Sequence, residues 1–333
     1  MSRRAPTLLI VPVVLFVATG LTVWSCSRGA ATPISGDRAY GHAEKIVGFG
    51  ERPSGHPNLI LTEKYINVQL RELGLKPQRN THFHQKEKLR FSNIWVQIDG
   101  EDPENGPILV LGSHYDTKLC RGHPEPKQNF EFVGAIDGGG SSGLLLELAR
   151  VLKDRKNVPN IWLVWFDGEE SLDFKWNLDR ALFGSRYFVK TMANDRKRFP
   201  DGLYKRMRVM VLLDLVGARD YKIDKDDASN PDLVRIFKEA ADKLGEGDRM
   251  YQWVSKMTDD HKPFIARQVK CIDLIDLIHR GPDENGNAPH PDYEAWWHTE
   301  HDTIDKLSAE GLQFAGDLVW VALPMIEKRF YAR

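Results

Sequence analysis

The sequence predicts an α/β fold, namely a single-domain α/β/α sandwich with a mixed, mostly parallel central sheet flanked by helices. Two observations support this class. Short apolar runs typical of buried strands alternate along the chain with longer segments of helical periodicity. Hydrophobic residues make up 41% of the 333 residues, which is enough for a large core. No second linker and no internal repeat divides residues 35–333, so we expect one domain there.

The predicted elements follow one another in a regular order. Helical periodicity predicts helices at residues 58–73, Ser141–Leu152, 178–192, Pro231–Leu244 and 308–328. Apolar runs predict strands at residues 94–98, 108–111, 161–166 and 209–213, with a weaker one at 271–275 that Asp273 interrupts. Gly74 and Pro77 end the first helix, as expected of a C-cap and a helix breaker.

The N-terminal segment resembles an export signal. Arg3 and Arg4 precede an apolar stretch at residues 8–24, which is shorter than a spanning helix of roughly 20 residues. An uncleaved anchor is an alternative, and so is lipidation at Cys26, because residues 23–26 resemble a bacterial lipobox. In each case residues 1–34 are a signal peptide or anchor with a linker. The rest of the chain is then exported and lies in the periplasm or faces outward from the membrane.

The charge balance argues against one class of partner. With 46 basic and 47 acidic residues the formal net charge is -1, so we expect no nucleic acid and membrane contact only through the N-terminal segment. Three cysteines are too few for a disulfide framework, and a pairing of Cys120 with Cys271 stays open.

Four predicted strands each stop at titratable residues. The residues that follow them are His114 and Asp116, then Asp167 with Glu169 and Glu170, then Asp214, and finally Asp276. In open α/β sheets, ligands bind beyond the carboxyl ends of the strands. We therefore expect a polar rim, and a candidate site, at that edge of the sheet.

Two adjacent carboxylates, Glu169 and Glu170, come soon after a buried run. Adjacent acids are common on solvated faces and at helix N-termini. At a partly buried sheet edge, however, they repel each other unless a cation holds one of them. With a metal ion present, one glutamate would be a ligand and the other a free general base.

Further candidate ligands lie elsewhere in the chain. Asp137 precedes three glycines and is either a helix cap in a flexible turn or a metal ligand. His298 follows two tryptophans, and His114 has Asp116 two residues away, which could orient its imidazole. A set of carboxylates and imidazoles suits zinc better than calcium or magnesium, although no short diagnostic spacing is present.

Together these motifs resemble the zinc aminopeptidase superfamily that also contains the animal glutaminyl-peptide cyclotransferases. The motifs occur in order over roughly residues 40–330: GSHYDTK, FVGAIDGG, FDGEES, LFGSR, VLLDLVGA, DDHKPF and WWHTEHDT. The cyclase branch is the most similar. The resemblance implies a catalytic domain at residues 35–333, one Zn²⁺ per chain, and a peptide or protein substrate with an N-terminal Gln. A monomer is expected.

The resemblance also implies a role for individual residues. Asp137, Glu170 and His298 match the ligands of the single zinc. Glu169 matches the general acid/base, and Asp214 and Asp259 match two aspartates that form a hydrogen-bond network beside it. Trp176, Tyr293 and Trp297 match the aromatic walls of the substrate pocket.

Two alternatives stay open. In a two-zinc aminopeptidase, His114 and Asp214 would hold a second ion that Asp137 bridges. A non-catalytic exported binding protein on this fold is less favoured, because every expected ligand and the expected base are present.

The sequence also departs from the animal cyclases. Ser113 and Ser142 stand where those proteins have a disulfide, and Asp273 stands in place of a pocket histidine. Tyr293 replaces a phenylalanine, and residues 278–291 resemble an insertion over the site.

Overall fold

The fold was analysed in a computed structural model, which describes residues 32–279, 292–293 and 295–332. The predicted export segment with Cys26 and most of the predicted insertion at 278–291 lie outside the described residues, as does the side chain of Tyr293. Within the described ranges, no helix combines the length and the apolar character needed to cross a membrane.

The centre of the fold is an eight-stranded sheet. Its strands are β1 (Gln78–His84), β2 (Leu89–Ile98), β3 (Ile108–His114), β4 (Asn160–Phe166), β5 (Met207–Asp214), β6 (Ile223–Asp226), β7 (Met250–Ser255) and β8 (Lys270–Ile275). The order across the sheet is β1-β2-β4-β3-β5-β8-β6-β7. Strands β4, β3, β5 and β8 are parallel to their neighbours in this group, whereas the β1–β2, β2–β4 and β8–β6 pairs are antiparallel. The prediction of a mixed, mostly parallel sheet is confirmed.

Helices cover both faces of this sheet. They are α1 (Gly36–Val47), α2 (Pro57–Glu72), α3 (Ser141–Leu152), α4 (Phe183–Asn194), α5 (Leu203–Arg206), α6 (Pro231–Leu244), α7 (His261–Ile265) and α8 (Ala309–Ile326). Helices α1, α2, α3, α6 and α8 contribute to the apolar core on one face, and α4, α5 and α7 contribute to the core on the other. The predicted α/β/α sandwich is therefore confirmed. A separate two-residue pairing joins β9 (Ile278–His279) to β10 (Asp292–Tyr293).

The central strands bring polar residues to one edge. Every residue of β3 and β4 is buried, because helices cover both faces of these strands. Parallel strands need a crossover connection, and α3 supplies it between β3 and β4. Their carboxyl ends therefore meet at the same edge, where His114 pairs with Phe166.

The predicted helices are confirmed, two of them with identical bounds, Ser141–Leu152 and Pro231–Leu244. The helix predicted at 178–192 instead begins at Phe183, after a single 3₁₀ turn at Leu178–Arg180. The cause is Leu182, whose φ of 56° lies in the left-handed region and cannot belong to a right-handed helix.

The sequence prediction lacks eight of the described elements: α1, α5, α7, β1, β6, β7, β9 and β10. Helix α1 buries the small residues Ala39 and Ala43 together with Ile46 and Val47. Strand β6 has the sequence IDKD, and its charged residues hide the strand pattern. Neighbouring strands, and not local hydrophobicity, stabilise such segments.

Candidate active site and metal centre

The three residues predicted as zinc ligands converge at this edge of the sheet. Asp137, Glu170 and His298 each offer one ligand atom, and these atoms lie within 4.8 Å of one another. His298 Nε2 is 3.1 Å from Glu170 Oε1 and 3.3 Å from Asp137 Oδ2. Residues 161 positions apart in the chain therefore form one compact group, called below the Asp137–Glu170–His298 group.

The residues predicted for a second ion, His114 and Asp214, also converge. They lie near Asp137 Oδ1, the carboxylate oxygen that does not face His298. His114 Nε2 is 3.1 Å from Asp137 Oδ1 and 3.0 Å from Asp214 Oδ1. Burial alone would lower the pKa of His114, but the neighbouring carboxylates, Asp214 first among them, raise it well above its usual value. Both predicted ligand groups are thus present, and Asp137 is common to them.

The turn that carries Asp137 is held by a buried aspartate. Asp302 Oδ1 accepts a hydrogen bond from Ile136 N–H at 2.8 Å, and its Oδ2 accepts one from Asp137 N–H at 3.1 Å. Gly138 packs beneath the turn, where an added Cβ would lie only 2.6 Å from the carbonyl oxygen of His114. Burial raises the pKa of Asp302 to about 7. Sequence reasoning missed this residue, although it lies in the WWHTEHDT motif with His298.

The glutamate pair is held in a similar way by Asp116. Its two carboxylate oxygens accept hydrogen bonds from Glu169 N–H and Glu170 N–H, both at 3.2 Å. Its Oδ1 also lies 3.6 Å from Nδ1 of His114, the imidazole that the sequence predicted it to orient. Asp116 therefore positions residues from the ends of two neighbouring strands.

A fully buried arginine, Arg52, ties two of these loops together. Its Nε donates to Tyr115 O at 3.0 Å, and its terminal nitrogens donate to Val133 O at 2.5 Å and Gly134 O at 2.9 Å. Burial lowers the pKa of Arg52 to about 10. The carbonyl oxygens satisfy this guanidinium in place of a carboxylate partner. The sequence alone held no signal for this role.

His298 is placed by a loop in an unusual backbone conformation. Its φ is 52°, a region that costs free energy in residues other than glycine and that occurs often at functional sites. Its ring stacks on Trp297, with centroids 4.0 Å apart, and meets Phe132 edge-on at 5.9 Å. Aromatic packing therefore orients the imidazole towards the two carboxylates.

A cavity of about 410 Å³ opens at this group. Its walls include all three members of the Asp137–Glu170–His298 group, but not His114. The predicted catalytic and pocket residues whose side chains are described also line it: Glu169, Asp214, Asp259, Trp176 and Trp297. The role predicted for the side chain of Tyr293 falls outside the described residues.

Glu169 is buried at the cavity wall among other acidic residues. Burial raises its pKa well above the usual value, and the charge of His114 opposes this rise. Nearby carboxylates, Glu170 first among them, raise the pKa further. Glu169 does not belong to any of the ligand groups found in the described part of the chain.

The predicted network around Glu169 stays a prediction. Asp214 Oδ1 accepts a hydrogen bond from Leu215 N–H at 2.8 Å, in addition to its contact with His114. Asp259 accepts a hydrogen bond from Asp260 N–H. These hydrogen bonds fix the two carboxylates at the cavity wall, where a molecule inside the cavity could contact them.

The donor atoms fit a divalent ion. Among the described residues, neither Asp137 Oδ2 nor Glu170 Oε2 has a hydrogen-bond partner, although both are buried. The closest ammonium group is that of Lys118, whose Nζ is 3.7 Å from Glu170 Oε2. Buried carboxylates without partners are costly, and two carboxylates with an imidazole are donors that zinc accepts. The family and fold reported below support zinc as the metal.

Three acids of the predicted rim, Asp116, Asp167 and Asp276, do not line the cavity. Asp167 accepts hydrogen bonds from Ser54 Oγ at 2.9 Å and Ser92 N–H at 2.7 Å. Asp276 lies 3.3 Å from Lys222 Nζ. The predicted polar rim therefore also contains acids that satisfy neighbouring strands and loops instead of lining the cavity.

The departures from the animal cyclases have clear positions. Ser113 Oγ and Ser142 Oγ are 3.5 Å apart, as residues at the positions of a disulfide should be. Cys120 and Cys271 are both free and buried, so the open question of their pairing is answered. Asp273 is 1% exposed and does not line the cavity.

Comparisons with known proteins agree with this architecture. The glutaminyl-peptide cyclotransferase of Drosophila melanogaster is 28% identical over 269 residues, which cover 71% of each chain. The crystal structure of an Acidobacteriales bacterium glutaminyl cyclase superposes with a TM-score of 0.76 at 28% identity, covering 91% of this chain and 98% of that one.

An exopeptidase shares the fold as well. A Zn-dependent exopeptidase from Parabacteroides distasonis superposes with a TM-score of 0.72 at 24% identity, covering 88% of this chain and 99% of that one. The family model described as Peptidase family M28 matches residues 93–323. This match spans most of the sheet and every predicted ligand, and the chain belongs to Peptidase family M28.

Proposed function

We propose that the protein is a zinc-dependent glutaminyl-peptide cyclotransferase, which converts the N-terminal Gln of peptides or proteins to pyroglutamate and releases ammonia. The observation that carries the proposal is the position of Glu169. This buried carboxylate lines the same cavity as the Asp137–Glu170–His298 group without belonging to it. A free carboxylate beside a metal group suits general acid–base catalysis. The cyclases reported above support the choice of reaction.

The proposed metal ligands are Asp137, Glu170 and His298, with one ion per chain. Zinc bound there would supply Lewis acidity to the side-chain carbonyl of the substrate glutamine. Asp302 and Asp116 hold the backbone of the carboxylate ligands, so the protein sets their positions before substrate arrives.

Glu169 would move the proton. It accepts a proton from the α-amino group of the substrate, whose nitrogen then attacks the carbonyl carbon of the side-chain amide and closes a five-membered ring. The bond from that carbon to the amide nitrogen breaks, and Glu169 returns the proton to this nitrogen, which leaves as ammonia. A carboxylate whose burial raises its pKa can serve as both base and acid near neutral pH.

The remaining predicted residues would position the substrate. Asp214 and Asp259 would hold Glu169 and the amide nitrogen in register. Trp176, Tyr293 and Trp297 would enclose the small glutamine side chain and exclude larger ones. Because nucleophile and electrophile belong to the same molecule, correct positioning can supply much of the rate.

A specific observation favours a second candidate, a two-zinc aminopeptidase. His114, Asp137 and Asp214 form a second compact ligand group. In that reaction Glu169 would activate water for attack on the first peptide bond. The exopeptidase reported above shares the fold, which by itself does not select the reaction.

One assay separates these functions. The purified protein is incubated with a Gln-initiated peptide, and the product is weighed by mass spectrometry. We expect the loss of one ammonia, and we expect no reaction when the α-amino group of the same peptide is acetylated. Loss of the N-terminal residue would instead establish an aminopeptidase, and an unchanged peptide would favour a non-catalytic binding protein.

The chain organisation is part of the proposal. Residues 1–34 would be a signal peptide or anchor, and residues 35–333 would be the exported, monomeric catalytic domain. N-terminal sequencing of the mature protein distinguishes cleavage from a retained anchor, and intact mass detects a lipid on Cys26. Sedimentation tests the monomer.

A further inference from the structure

A third group of potential ligands lies beneath the cavity, apart from Asp137. Asp259 precedes helix α7, His261 begins that helix, and Asp273 lies in strand β8. All three are buried, with exposed fractions of 4%, 0% and 1%. One ligand atom from each lies within 4.8 Å of the others. We call these residues the Asp259–His261–Asp273 group.

The atoms that face one another in this group have no hydrogen bonds. Within the part of the chain that the structure describes, His261 Nδ1, Asp259 Oδ2 and both carboxylate oxygens of Asp273 lack partners. His261 Nδ1 is 3.6 Å from Asp273 Oδ2, which is too long for a hydrogen bond. Two ligands around a zinc ion are separated by about 3.3 Å, given metal–ligand distances of about 2.0 Å and tetrahedral angles. The spacing therefore suits an ion better than a direct contact.

The second nitrogen of His261 has a carboxylate beside it. Its Nε2 is 3.2 Å from Asp226 Oδ2, although the two atoms do not form a hydrogen bond. Ser229 Oγ and Met257 N–H donate to the two oxygens of Asp226, at 3.1 and 3.2 Å. A histidine that binds a metal through one nitrogen commonly donates its other N–H to a carboxylate. Asp226 would thus orient His261 with Nδ1 towards Asp259 and Asp273.

The charges also favour a divalent ion. Asp226 has the ammonium group of Lys262 3.5 Å away, which leaves two negative charges, those of Asp259 and Asp273, without a cation. Burial raises the pKa of both carboxyl groups and lowers the pKa of His261. The buried Asp260 carboxyl adjacent to the group makes the region more acidic still. An ion of charge +2 would balance the pair.

An ion has a route to this group. Asp259 lines the cavity, whereas Asp273 and His261 lie behind it. An ion entering through the cavity would meet Asp259 first. Once bound, it would fix the Asp259 carboxylate at the cavity wall, where the proposed network requires it.

We infer that the Asp259–His261–Asp273 group is a second, buried site for a divalent transition ion such as Zn²⁺. Two carboxylates and one imidazole are the same donor types as in the Asp137–Glu170–His298 group, and the two groups share no residue. Calcium and magnesium are disfavoured because they prefer oxygen ligands throughout. The site does not depend on which reaction the protein catalyses.

The test counts ions in single variants. The full chain is purified without chelator, saturated with Zn²⁺, desalted, and analysed for zinc per chain by elemental mass spectrometry. We expect His261→Gln and Asp273→Asn each to lose one ion relative to the unmodified protein. His114→Gln serves as the matched control, because it removes a buried histidine next to Asp137 and should not affect this ion. Equal zinc content in the unmodified protein and His261→Gln would overturn the inference.

A second experiment first counts ions in a protein whose Asp259–His261–Asp273 group is unchanged. In the double variant His114→Gln/His298→Gln, both groups around Asp137 lack their histidine, while the Asp259–His261–Asp273 group is intact. We expect this protein to retain one ion per chain and, with Co²⁺ in place of zinc, to show visible absorption that Asp273→Asn abolishes. A double variant without bound metal, or a cobalt spectrum unchanged by Asp273→Asn, would contradict the inference. Product mass is measured separately, so a failed cyclase assay leaves the ion count interpretable.

Discussion

The two oxygens of the Asp137 carboxylate face two different environments. On one side, Oδ2 is 3.3 Å from His298, whose ring lines the cavity. On the other side, Oδ1 is 3.1 Å from His114, which is 1% exposed and does not line the cavity. Of the residues on the His114 side, Asp137 and Asp214 line the cavity. An ion on the His298 side would therefore meet the substrate directly, and this difference favours one catalytic ion over two.

The two sides are also built differently. His114 ends strand β3 and is positioned by its register with Phe166. His298 lies in a loop, and the orientation of its ring depends on contacts with Trp297 and Phe132. Strand register fixes a side chain through backbone hydrogen bonds, whereas a loop residue needs packing against its neighbours. The geometry of the His298 side thus depends more on tertiary contacts than the geometry of the His114 side.

The largest expected effect comes from comparing the two histidines. His298→Gln should remove the ion of the Asp137–Glu170–His298 group and reduce turnover to background, because an essential ligand is lost. His114→Gln should keep that ion and lose much less activity. Zinc content and ammonia release are measured for both, with His301→Gln, an exposed residue of the same motif, as control. Equal losses in the two variants would indicate a two-ion mechanism.

The next effect distinguishes the two adjacent glutamates on the cavity side. Glu169→Gln should lower turnover on the order of 10²- to 10⁴-fold, as expected for loss of a general acid/base. It should leave the zinc content unchanged, whereas Glu170→Gln should lose zinc. Elemental analysis and ammonia release measure the two quantities on the same samples. Loss of metal in Glu169→Gln would mean that the roles of the two glutamates are exchanged.

A smaller effect is expected at Asp302. This residue supports both the His298 side and the His114 side of Asp137, because it holds the backbone of Asp137. Asp302→Asn should weaken zinc binding by about 10- to 100-fold, as is typical when a residue that supports a ligand is replaced. Competition with a chelator of known affinity measures the change. The matched control is Asp305→Asn, an exposed carboxylate three residues away that pairs with Lys306. A similar loss in both variants would assign the effect to the loop as a whole.

Several features of the fold could be predicted from local sequence. The helix Ser141–Leu152 has an apolar periodicity that packing preserves, so its observed bounds match the prediction. Strand β4 was recognisable because a strand covered on both faces must be apolar throughout. Helix α4 was predicted too long, since periodicity does not report the positive φ of Leu182.

The candidate site was predictable in part. Glu170 lies four residues after the end of β4, so its place at the sheet edge could be inferred from chain order. The prediction that His298 lies beside Glu170 came from the family resemblance, because no periodicity relates residues so far apart in the chain. Arg52 and Asp302 were missed, since their partners are backbone groups of distant loops and leave no mark in the local sequence.

By itself, the sequence determined the type and order of five strands (β2, β3, β4, β5 and β8) and five helices (α2, α3, α4, α6 and α8), and the acids that follow four of those strands. Local propensity and apolar periodicity depend on residues a few positions apart in the chain, so the local sequence encodes them. Only the tertiary structure decided that His298 approaches one oxygen of Asp137 and His114 the other, and that His261 lies between Asp259 and Asp273. Such contacts depend on strand order and on crossovers between distant segments, which no local pattern specifies.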